Sequence, residues 1–305
     1  QAKTLFPYTT LFRSDAATVD LEPFGHGGGR QAVQGAQVLG LANSLVVGLD
    51  VSDWQRDVAG SGTADQRNRA AYLRNETSLP GGLRLSGGLR RESLRKFDSA
   101  GQGQGRWQTA WEFGLLQPLG EAMSAYARLG RSFRTANADE YGFTAGGTAL
   151  QPQTSRDAEL GLRWQAGGSR LEARLYRSAL RQEIGYDPTV PNPAPWDAAA
   201  TGANVNFDPT RRQGLELEAA HALSTTLRLR ANLAWRDATF QSGAHAGKQV
   251  PLVVRQSTAL GADWQFLPQH RLAGNLVHAA SSHPDFANAC EVPAATTLDL
   301  RYAYQ

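Results

Sequence analysis

The sequence contains a single cysteine, Cys290, among its 305 residues. A disulfide framework within this chain is therefore excluded, because each bridge requires two cysteines. Two interpretations of Cys290 remain open. It is either an unpaired thiol in a loop or one half of a bridge whose partner lies outside this sequence.

The sequence also lacks the continuous run of about 18 to 20 apolar residues that a membrane-spanning helix requires. This absence does not exclude a membrane protein. The strands of a membrane barrel turn only every second residue toward lipid, so their overall composition resembles that of a soluble protein. A content of 41% hydrophobic and 19% charged residues fits that description.

A concentrated basic surface is missing as well. The formal net charge is only +3, and the arginines alternate with apolar residues and are interspersed with Glu and Asp. Nucleic-acid-binding domains cluster their basic residues on one face or along one helix. We therefore expect no nucleic-acid partner.

What the sequence does contain is alternation with a period of two, most clearly over residues 212–240. Apolar residues occupy every second position from Leu227 to Trp235, and Arg or Asn occupies most positions between them. Such alternation predicts a strand with two unlike faces. Residues 215–220 alternate in the same way, and a short turn at residues 221–225 completes a predicted hairpin.

The alternation recurs along the chain and predicts an all-β protein of about a dozen strands. Strands are predicted within residues 31–41, 45–54, 71–79, 83–90, 107–115, 123–130, 157–164, 170–176, 212–220, 227–236, 257–266, 270–276 and 298–304. Tight turns are predicted at residues 80–82, 118–120, 166–168, 221–225 and 267–270. Longer polar connections are predicted at residues 55–69, 97–105, 135–154, 185–208, 241–251 and 278–293.

This alternation of short turns with long loops is typical of outer-membrane barrels, which carry tight periplasmic turns on one rim and long extracellular loops on the other. Trp164, Trp264 and Phe266 lie beside tight turns, where the periplasmic aromatic girdle of such a barrel is expected. A solenoid or propeller would require a repeated motif of fixed length, and we find none in the sequence. We therefore predict an antiparallel transmembrane β-barrel.

The first residues do not continue this pattern. Residues 3–14 read KTLFPYTTLFRS and have neither the basic start nor the apolar run of a signal peptide. The segment is similar to a translated sequencing-adapter read-through, so we interpret residues 1–14 as non-native and begin the barrel at residue 15. The alternative is that these residues form a native apolar strand.

Several segments, in their order and spacing, resemble the C-terminal half of the barrel of TonB-dependent outer-membrane receptors. They are SAYARLGRSFRTANADEYG (124–142), LQPQTSRDAELGLRW (150–164), LEARLYRSALRQEIGYDP (171–188), NVNFDPTRRQGLELEA (204–219) and LDLRYAY (298–304). The resemblance covers most of residues 31–305. It implies a 22-stranded barrel closed by an N-terminal plug, of which residues 15–305 would form about 12–13 strands.

The resemblance also implies a location in the outer membrane of a Gram-negative bacterium, in contact with its lipid. It implies uptake of a scarce ligand such as a ferric siderophore, haem, cobalamin or a glycan, driven by the TonB–ExbB–ExbD complex through the plug. No segment resembles a plug or a TonB box, so we expect a fragment truncated at both ends. Because its open strand edges would lie unpaired in lipid, we expect the fragment to be inactive alone.

Ligand binding in this family uses loop tips and the lumen wall, and two long loops combine aromatic residues with arginines. Aromatic rings stack on planar chelates, and guanidinium groups pair with carboxylate or catecholate oxygens. The candidate ligand-binding residues are Arg134, Tyr141, Phe143, Tyr186, Trp196, Phe207, Arg211 and Arg212. The alternative is that the aromatic residues pack the loops together or anchor the outer interface.

Charged residues that alternate with the aliphatic face are expected to line the lumen. They are Arg84, Arg128, Arg163, Arg174, Glu216, Arg228 and Arg230. We interpret them as a solvated wall of paired charges, with guidance of a ligand or contact with the plug as the alternatives.

Enzymatic chemistry is not expected. His278, His283 and Asp285 lie in one predicted loop, without a third zinc ligand or a marked nucleophile. The glycine-rich residues 25–29 and 101–105 do not open a helix after a strand, as a phosphate cradle would. We therefore expect no catalytic residue, no metal site and no cofactor.

Two other functions remain open. One is an outer-membrane porin or adhesin-type barrel without TonB coupling, which a plug and a TonB box upstream would exclude. The other is a soluble β-rich binding protein, in which the aliphatic stripe from Leu227 to Trp235 would lie in a protein interior.

Overall fold

The computed structural model describes residues 26–38, 40–58, 62–97, 103–137, 140, 144, 150–191 and 201–304. The first eight strands are β1 (His26–Val38), β2 (Leu41–Val58), β3 (Gly62–Ser78), β4 (Arg84–Phe97), β5 (Gly103–Pro118), β6 (Met123–Arg134), β7 (Gln153–Ala166) and β8 (Ser169–Arg181). The others are β9 (Ile184–Pro191), β10 (Thr201–Asn206), β11 (Thr210–Ala222), β12 (Leu227–Phe240), β13 (Gln256–Leu267), β14 (His270–Ala279) and β15 (Ala295–Tyr304). The segment interpreted as non-native, residues 1–14, lies outside the described residues.

Thirteen strands form one antiparallel sheet in which strands that follow each other in the chain are neighbours. The single interruption is a separate hairpin, β9–β10, after which β8 pairs directly with β11. Pairing is continuous between β11 and β12, from Thr210 opposite Phe240 to Ala222 opposite Arg228. The prediction of an all-β antiparallel meander is confirmed.

The two faces of this sheet differ as the alternation predicts. We call the face with the aliphatic band the outer face and the opposite one the inner face. On the outer face Leu160, Leu175 and Trp235 are 56%, 55% and 53% exposed. A soluble protein rarely exposes an apolar surface that continues across many strands. Leu227 and Leu233 are not buried either, which argues against the soluble binding protein.

No helix in the described part of the chain is long and apolar enough to span a membrane.

The inner face is organised around tyrosines that cover glycines of the neighbouring strand. Tyr126 of β6 lies over Gly161 of β7, and Tyr72 of β3 lies over Gly48 of β2, so that an added Cβ at either glycine would clash with the ring. An aromatic ring over a strand glycine supplies the packing that the glycine lacks. Glycine is therefore required at both positions, because the tyrosine ring of the neighbouring strand occupies the space that a Cβ would need.

Two of the predicted polar connections contain strand residues where they are described. Within residues 55–69, β2 continues to Val58 and β3 begins at Gly62. Within residues 97–105, β5 already begins at Gly103. Backbone pairing continues through these extensions, with Gln55 opposite Asp65. They project beyond the apolar band, where both faces are polar, so no alternation marks them in the sequence.

A third correction concerns residues 185–208, which we predicted to be a long loop. They contain most of the β9–β10 hairpin, in which Tyr186 lies opposite Asn204. The sequence analysis missed β9 because it contains Pro188 and Pro191, and proline is poorly tolerated inside a sheet. They are accommodated here because β9 pairs only with β10 among the described strands.

The loops form a small apolar core of their own next to the end of β12. Its members are Ala238, Phe240, Val250 and Phe286, with Phe207 and Val253 packed against them. The rings of Phe207 and Phe286 meet edge-on, with their centroids 5.1 Å apart. This core joins the exit of the β9–β10 hairpin to the loops that follow β12 and β14.

The opposite rim consists of tight turns flanked by aromatic side chains. Gly167 and Gly168, which join β7 to β8, both have positive φ (54° and 76°), as a two-residue hairpin turn requires. Trp264 and Phe266 lie beside the β13–β14 turn with ring centroids 5.4 Å apart. The aromatic residues therefore occupy the rim where the sequence predicted a girdle.

Leu160 lies midway along the outer-face band of β7, between Trp164 and Arg156. In the full-length protein, we expect Leu160→Arg to lower the free energy of unfolding in a lipid bilayer by about 2–4 kcal/mol, because the guanidinium would replace a lipid-facing aliphatic group. Urea titration in phospholipid vesicles measures this change. The inner-face control Asn232→Arg should alter it by only about 0.5 kcal/mol. Equal losses in both variants would contradict the assignment of faces.

Asp285 anchors the loop between β14 and β15. Its carboxylate accepts N–H groups from Ala289 (3.0 Å) and Cys290 (2.7 Å), and these bonds hold its pKa below the ordinary value. Since the folded-state pKa is depressed, the anchoring is complete above the usual aspartate pKa of about 3.9 and is lost as the pH falls through the folded-state value.

Cys290 is exposed and is the only cysteine in these 305 residues, so a spin label placed on it reports the order of this loop once any cysteine elsewhere in the full-length protein is replaced by serine. We expect Asp285→Ala to increase label mobility at neutral pH, and the unsubstituted loop to reach the same mobility only in acid. Electron paramagnetic resonance of the full-length protein measures both. Asp187→Ala, which removes another carboxylate that accepts a backbone N–H, that of Thr189 in β9, should leave the label unchanged. An immobile label in Asp285→Ala would refute the anchoring role.

Candidate ligand-binding site

The structure describes only part of the predicted ligand-binding set. Tyr141, Phe143 and Trp196 lie outside the described residues. The described members are Arg134, Tyr186, Phe207, Arg211 and Arg212. They all lie near the ends of strands on the rim that carries the long loops, but their side chains have different partners.

Arg134, the last residue of β6, holds two loop segments together. Its Nη1 donates to both carboxylate oxygens of Glu140 (2.8 and 2.6 Å), and its Nη2 donates to the carbonyl of Ile184 (3.0 Å). Hydrogen bonds between a guanidinium and a carboxylate are among the stronger types, because both groups are charged. Arg134 therefore connects the loop after β6 to the start of β9, and Glu140 compensates its charge.

Arg212 has a comparable arrangement on β11. It forms an ion pair with Glu183, which also accepts the hydroxyl of Thr210 at 2.6 Å. Glu183 and Thr210 are both buried. A buried carboxylate requires such partners, so Arg212 stabilises the segment that leads from β8 into the hairpin.

Arg211 lies on the other face of the sheet from Arg212, because successive residues of a strand point to opposite sides. It belongs to the outer face, where its nearest carboxylate is Asp237 at 3.8 Å. The two adjacent arginines therefore cannot contact one ligand within the lumen.

The aromatic candidates also differ. Phe207 packs against Phe240 and Phe286 in the loop core, which is the role that the alternative interpretation gave it. Tyr186 is 53% exposed, and its hydroxyl lies against Gly202 across the hairpin. Of these two rings, Tyr186 is the one that presents a free surface.

A cleft on the inner face was missed by the sequence analysis. It is lined by Leu94, Lys96, Arg106, Thr135, Ala136, Leu150 and Pro152. Buried Ala136 and Leu150 give it an apolar floor, and Lys96 and Arg106 add two cationic groups. Both cations flank the polar stretch 97–105, which we had interpreted as a connection. The extended pairing of β4 with β5 is what places them on the wall.

Most of the predicted lumenal arginines are paired with carboxylates, as expected of a paired wall. Arg163 lies 3.2 Å from Glu172, and Arg230 lies 2.8 Å from Asp263. Arg128 pairs with Glu112, and Arg174 pairs with Glu216. Tyr126 extends this network by donating its hydroxyl to Glu172 at 3.0 Å.

The histidines that we considered for catalysis have separate surroundings. His278 lies in β14 and contacts the hydroxyl of Thr296 at 2.8 Å. His283 contacts the backbone carbonyl of Cys290 at 2.8 Å, and Asp285 is engaged by backbone amides. In the described part of the chain, no group of three or more His, Cys, Asp or Glu residues is placed to hold a metal ion.

Comparison with solved structures finds the same fold in several receptors. The copper transporter OprC superposes with a TM-score of 0.71 at 15% identity, over 92% of this chain and 48% of that one. The ferric citrate transporter FecA gives a TM-score of 0.71 at 18% identity, over 91% and 46%. BauA, the ferric preacinetobactin receptor of Acinetobacter baumannii, gives 0.70 at 17% identity, over 92% and 47%. At these identities the matches establish the fold alone, and the chain spans about half the length of those proteins.

Comparison of sequences identifies the family. The vitamin B12 transporter BtuB of Vibrio vulnificus is 25% identical over 146 residues, which cover 48% of this chain and 22% of that protein. The family model described as TonB dependent receptor-like, beta-barrel, matches residues 5–305. This match covers nearly the whole sequence and agrees with the antiparallel sheet and its two unlike faces. The chain therefore belongs to the TonB-dependent receptor β-barrel family, whose members are outer-membrane proteins of Gram-negative bacteria.

Proposed function

We propose that this chain forms part of the barrel wall of a receptor that imports a scarce ligand, such as a ferric siderophore, haem or cobalamin. The observation that carries this proposal is the match of the family model to residues 5–305. The relatives are described as transporters of copper, ferric citrate and vitamin B12, which supports uptake of a metal-containing ligand. A porin or adhesin-type barrel without TonB coupling is less well supported by this match.

The chemistry of the inner face favours an anionic ligand. Lys96 and Arg106 line a small cleft with an apolar floor, and their charges suit the carboxylate or catecholate oxygens at the edge of a larger chelate. The exposed ring of Tyr186 offers a stacking surface on the hairpin. Arg134 and Arg212 act in this proposal by positioning the loops, since each is already paired with a glutamate. Tyr141, Phe143 and Trp196 remain candidate ligand contacts.

Energy for uptake would come from the TonB–ExbB–ExbD complex, which acts through a plug domain. No part of this sequence resembles a plug.

The isolated chain is proposed to be inactive. Within the described sheet, β1 and β15 each pair on one side only. Unpaired backbone groups in lipid cost several kcal/mol each, so strands from the rest of the receptor would be needed to close the wall.

Uptake assays test the proposed transport directly. We expect the full-length receptor to support accumulation of one compound from a panel of radiolabelled ferric citrate, a ferric catecholate, haem and cyanocobalamin, and to lose this activity in cells that lack TonB. Residues 15–305 expressed alone should support none. Equal uptake with and without TonB would identify a passive channel, and uptake by residues 15–305 would refute the proposed inactivity of the fragment.

Substitutions in the cleft test the proposed ligand contacts. In the full-length receptor, we expect Lys96→Gln and Arg106→Gln each to weaken binding of the transported compound about 10-fold, since a charge-assisted hydrogen bond is worth about 1.5–3 kcal/mol. Tyr186→Ala should weaken it a few-fold through lost stacking. Isothermal titration calorimetry measures the dissociation constants.

The matched control is Arg230→Gln, which removes an inner-face charge that is paired with Asp263 near the opposite rim. Its affinity should equal that of the unsubstituted receptor. If Arg230→Gln weakened binding as much as Arg106→Gln, the effect would be one of overall charge, and the cleft would not be the binding site.

A further inference from the structure

Two asparagines on the rim with the long loops take the place of a strand partner for another loop. The side chain of Asn206 accepts the backbone N–H of Gln151 (2.6 Å) and donates to the carbonyl of the same residue (3.0 Å). Asn288 makes the same two bonds to Gln249, at 2.7 and 3.0 Å. Backbone groups outside regular pairing need such partners. Each asparagine therefore bridges its own loop to a different one, 55 and 39 residues away in the chain.

Each bridging asparagine also binds a segment close to it. Nδ2 of Asn206 donates to the carbonyl of Gln182 at 2.8 Å, and Nδ2 of Asn288 donates to the carbonyl of Asp285 at 3.1 Å. Gln182 and Asn288 both have positive φ (56° and 55°), a conformation that residues other than glycine adopt rarely and keep only when their surroundings fix it. Aspartate in place of either asparagine would keep the acceptor and lose every donated bond.

The loop core connects the two bridges. Phe207 follows Asn206 directly, and its ring centroid lies 5.1 Å from that of Phe286, which is in the same loop as Asn288. Val250, from the loop after β12, belongs to the same core. A path of contacts thus runs from the loop after β6, through the β9–β10 hairpin, to the loops after β12 and β14.

The same path reaches the floor of the cleft. Leu150 precedes Gln151 and packs with Ala136 and Ile184 in a buried apolar cluster. Leu150 and Ala136 also line the cleft, whereas Ile184 begins β9 and is part of the hairpin. Arg134 holds the carbonyl of Ile184 in addition. The position of the hairpin on the loop after β6 therefore sets the position of the cleft floor.

We propose that Asn206 and Asn288 are positioning residues that fasten four loops into a single body, the loop cap, which holds the cleft floor in its binding position. The described parts of the loop cap are residues 135–137, 140, 144, 150–152, 182–191, 201–209, 241–255 and 280–294. A ligand in the cleft and the two bridges favour the same arrangement of the loops, so each stabilises the other. The fastening is independent of transport, whereas the effect on a ligand rests on the proposed function.

A spin label on Cys290 tests the fastening without any ligand. Cys290 is exposed and lies in the loop at the other end of the path from the cleft. In the full-length protein, with any other cysteine replaced by serine, we expect Asn206→Asp to increase the mobile fraction of the label severalfold, although the bonds that it removes go to Gln151 and Gln182. Electron paramagnetic resonance measures this fraction. Asn206→Ser, which retains a hydroxyl for one of the bonds, should give an intermediate value.

The matched control is Asn232→Asp, which makes the same chemical change at an exposed position on the inner face of β12 and should leave the label unchanged. In a protein that carries Phe207→Ala, Asn206→Asp should add no further mobility, because the path is already interrupted. Heat modifiability on gels shows whether each variant is folded. The loop cap is refuted if folded Asn206→Asp leaves the label as in the control, or mobilises it equally with and without Phe207→Ala.

Uptake kinetics test the positioning of the cleft. In the full-length receptor, we expect Asn206→Asp to raise the KM for the transported compound about 10-fold, since loss of its donated hydrogen bonds weakens the bound arrangement. The maximal rate should stay unchanged, whereas a mere loss of folded receptor would lower it. Asn206→Ser, which adds no charge, should raise the KM in the same direction.

The two readouts separate this inference from the proposed function. A mobile label together with an unchanged KM would refute the positioning role of Asn206. If no compound of the panel is taken up, and Asn206→Asp still mobilises the label on Cys290, the proposed function fails and the fastening of the loops is supported.

Discussion

The structure depends on one constraint, which is that backbone N–H and C=O groups cannot remain unpaired in hydrocarbon. A sheet of antiparallel strands satisfies them laterally, and its pleat then sends successive side chains into two different media. Glu159 and Leu160 are adjacent in β7, yet the first belongs to the charged inner face and the second lies in the exposed aliphatic band. The other features of the chain, including its soluble-like composition, follow from this division.

The inner face shows how a wall can be highly charged and still stable. Its arginines and glutamates are matched across neighbouring strands, as with Arg174 and Glu216. Tyr126 contacts both members of another pair, by its hydrogen bond to Glu172 and the position of Arg163 over its ring. Matched charges stabilise one another but offer little to a passing ligand. The proposed function therefore places recognition near the loops, where the cleft that contains Lys96 and Arg106 combines cations with an apolar floor.

The sequence was informative wherever one strand face meets lipid and the other meets water. The alternation over residues 227–235 predicted both the strand and its two faces, because Leu is required on the lipid side and Arg on the water side. Beyond the band this contrast disappears, so the extensions of β2 and β3 and the β9–β10 hairpin were interpreted as loops. Partners such as Glu140 for Arg134 and Glu183 for Arg212 depend on how the loops fold back, which periodicity does not encode. The opposite orientations of Arg211 and Arg212, by contrast, follow from alternation and were available from the sequence.

The two faces also differ in where their charges are neutralised. Arg163 and Arg156 are on the same strand, but Arg163 has Glu172 at 3.2 Å, whereas no described carboxylate is close to Arg156. Selection for folding in water alone would favour a partner for both, because an opposed pair such as Arg131 and Arg156 carries an electrostatic cost. Most inner-face arginines are thus neutralised within the chain, whereas the opposed outer-face pair Arg131 and Arg156 has no described carboxylate within ion-pair distance.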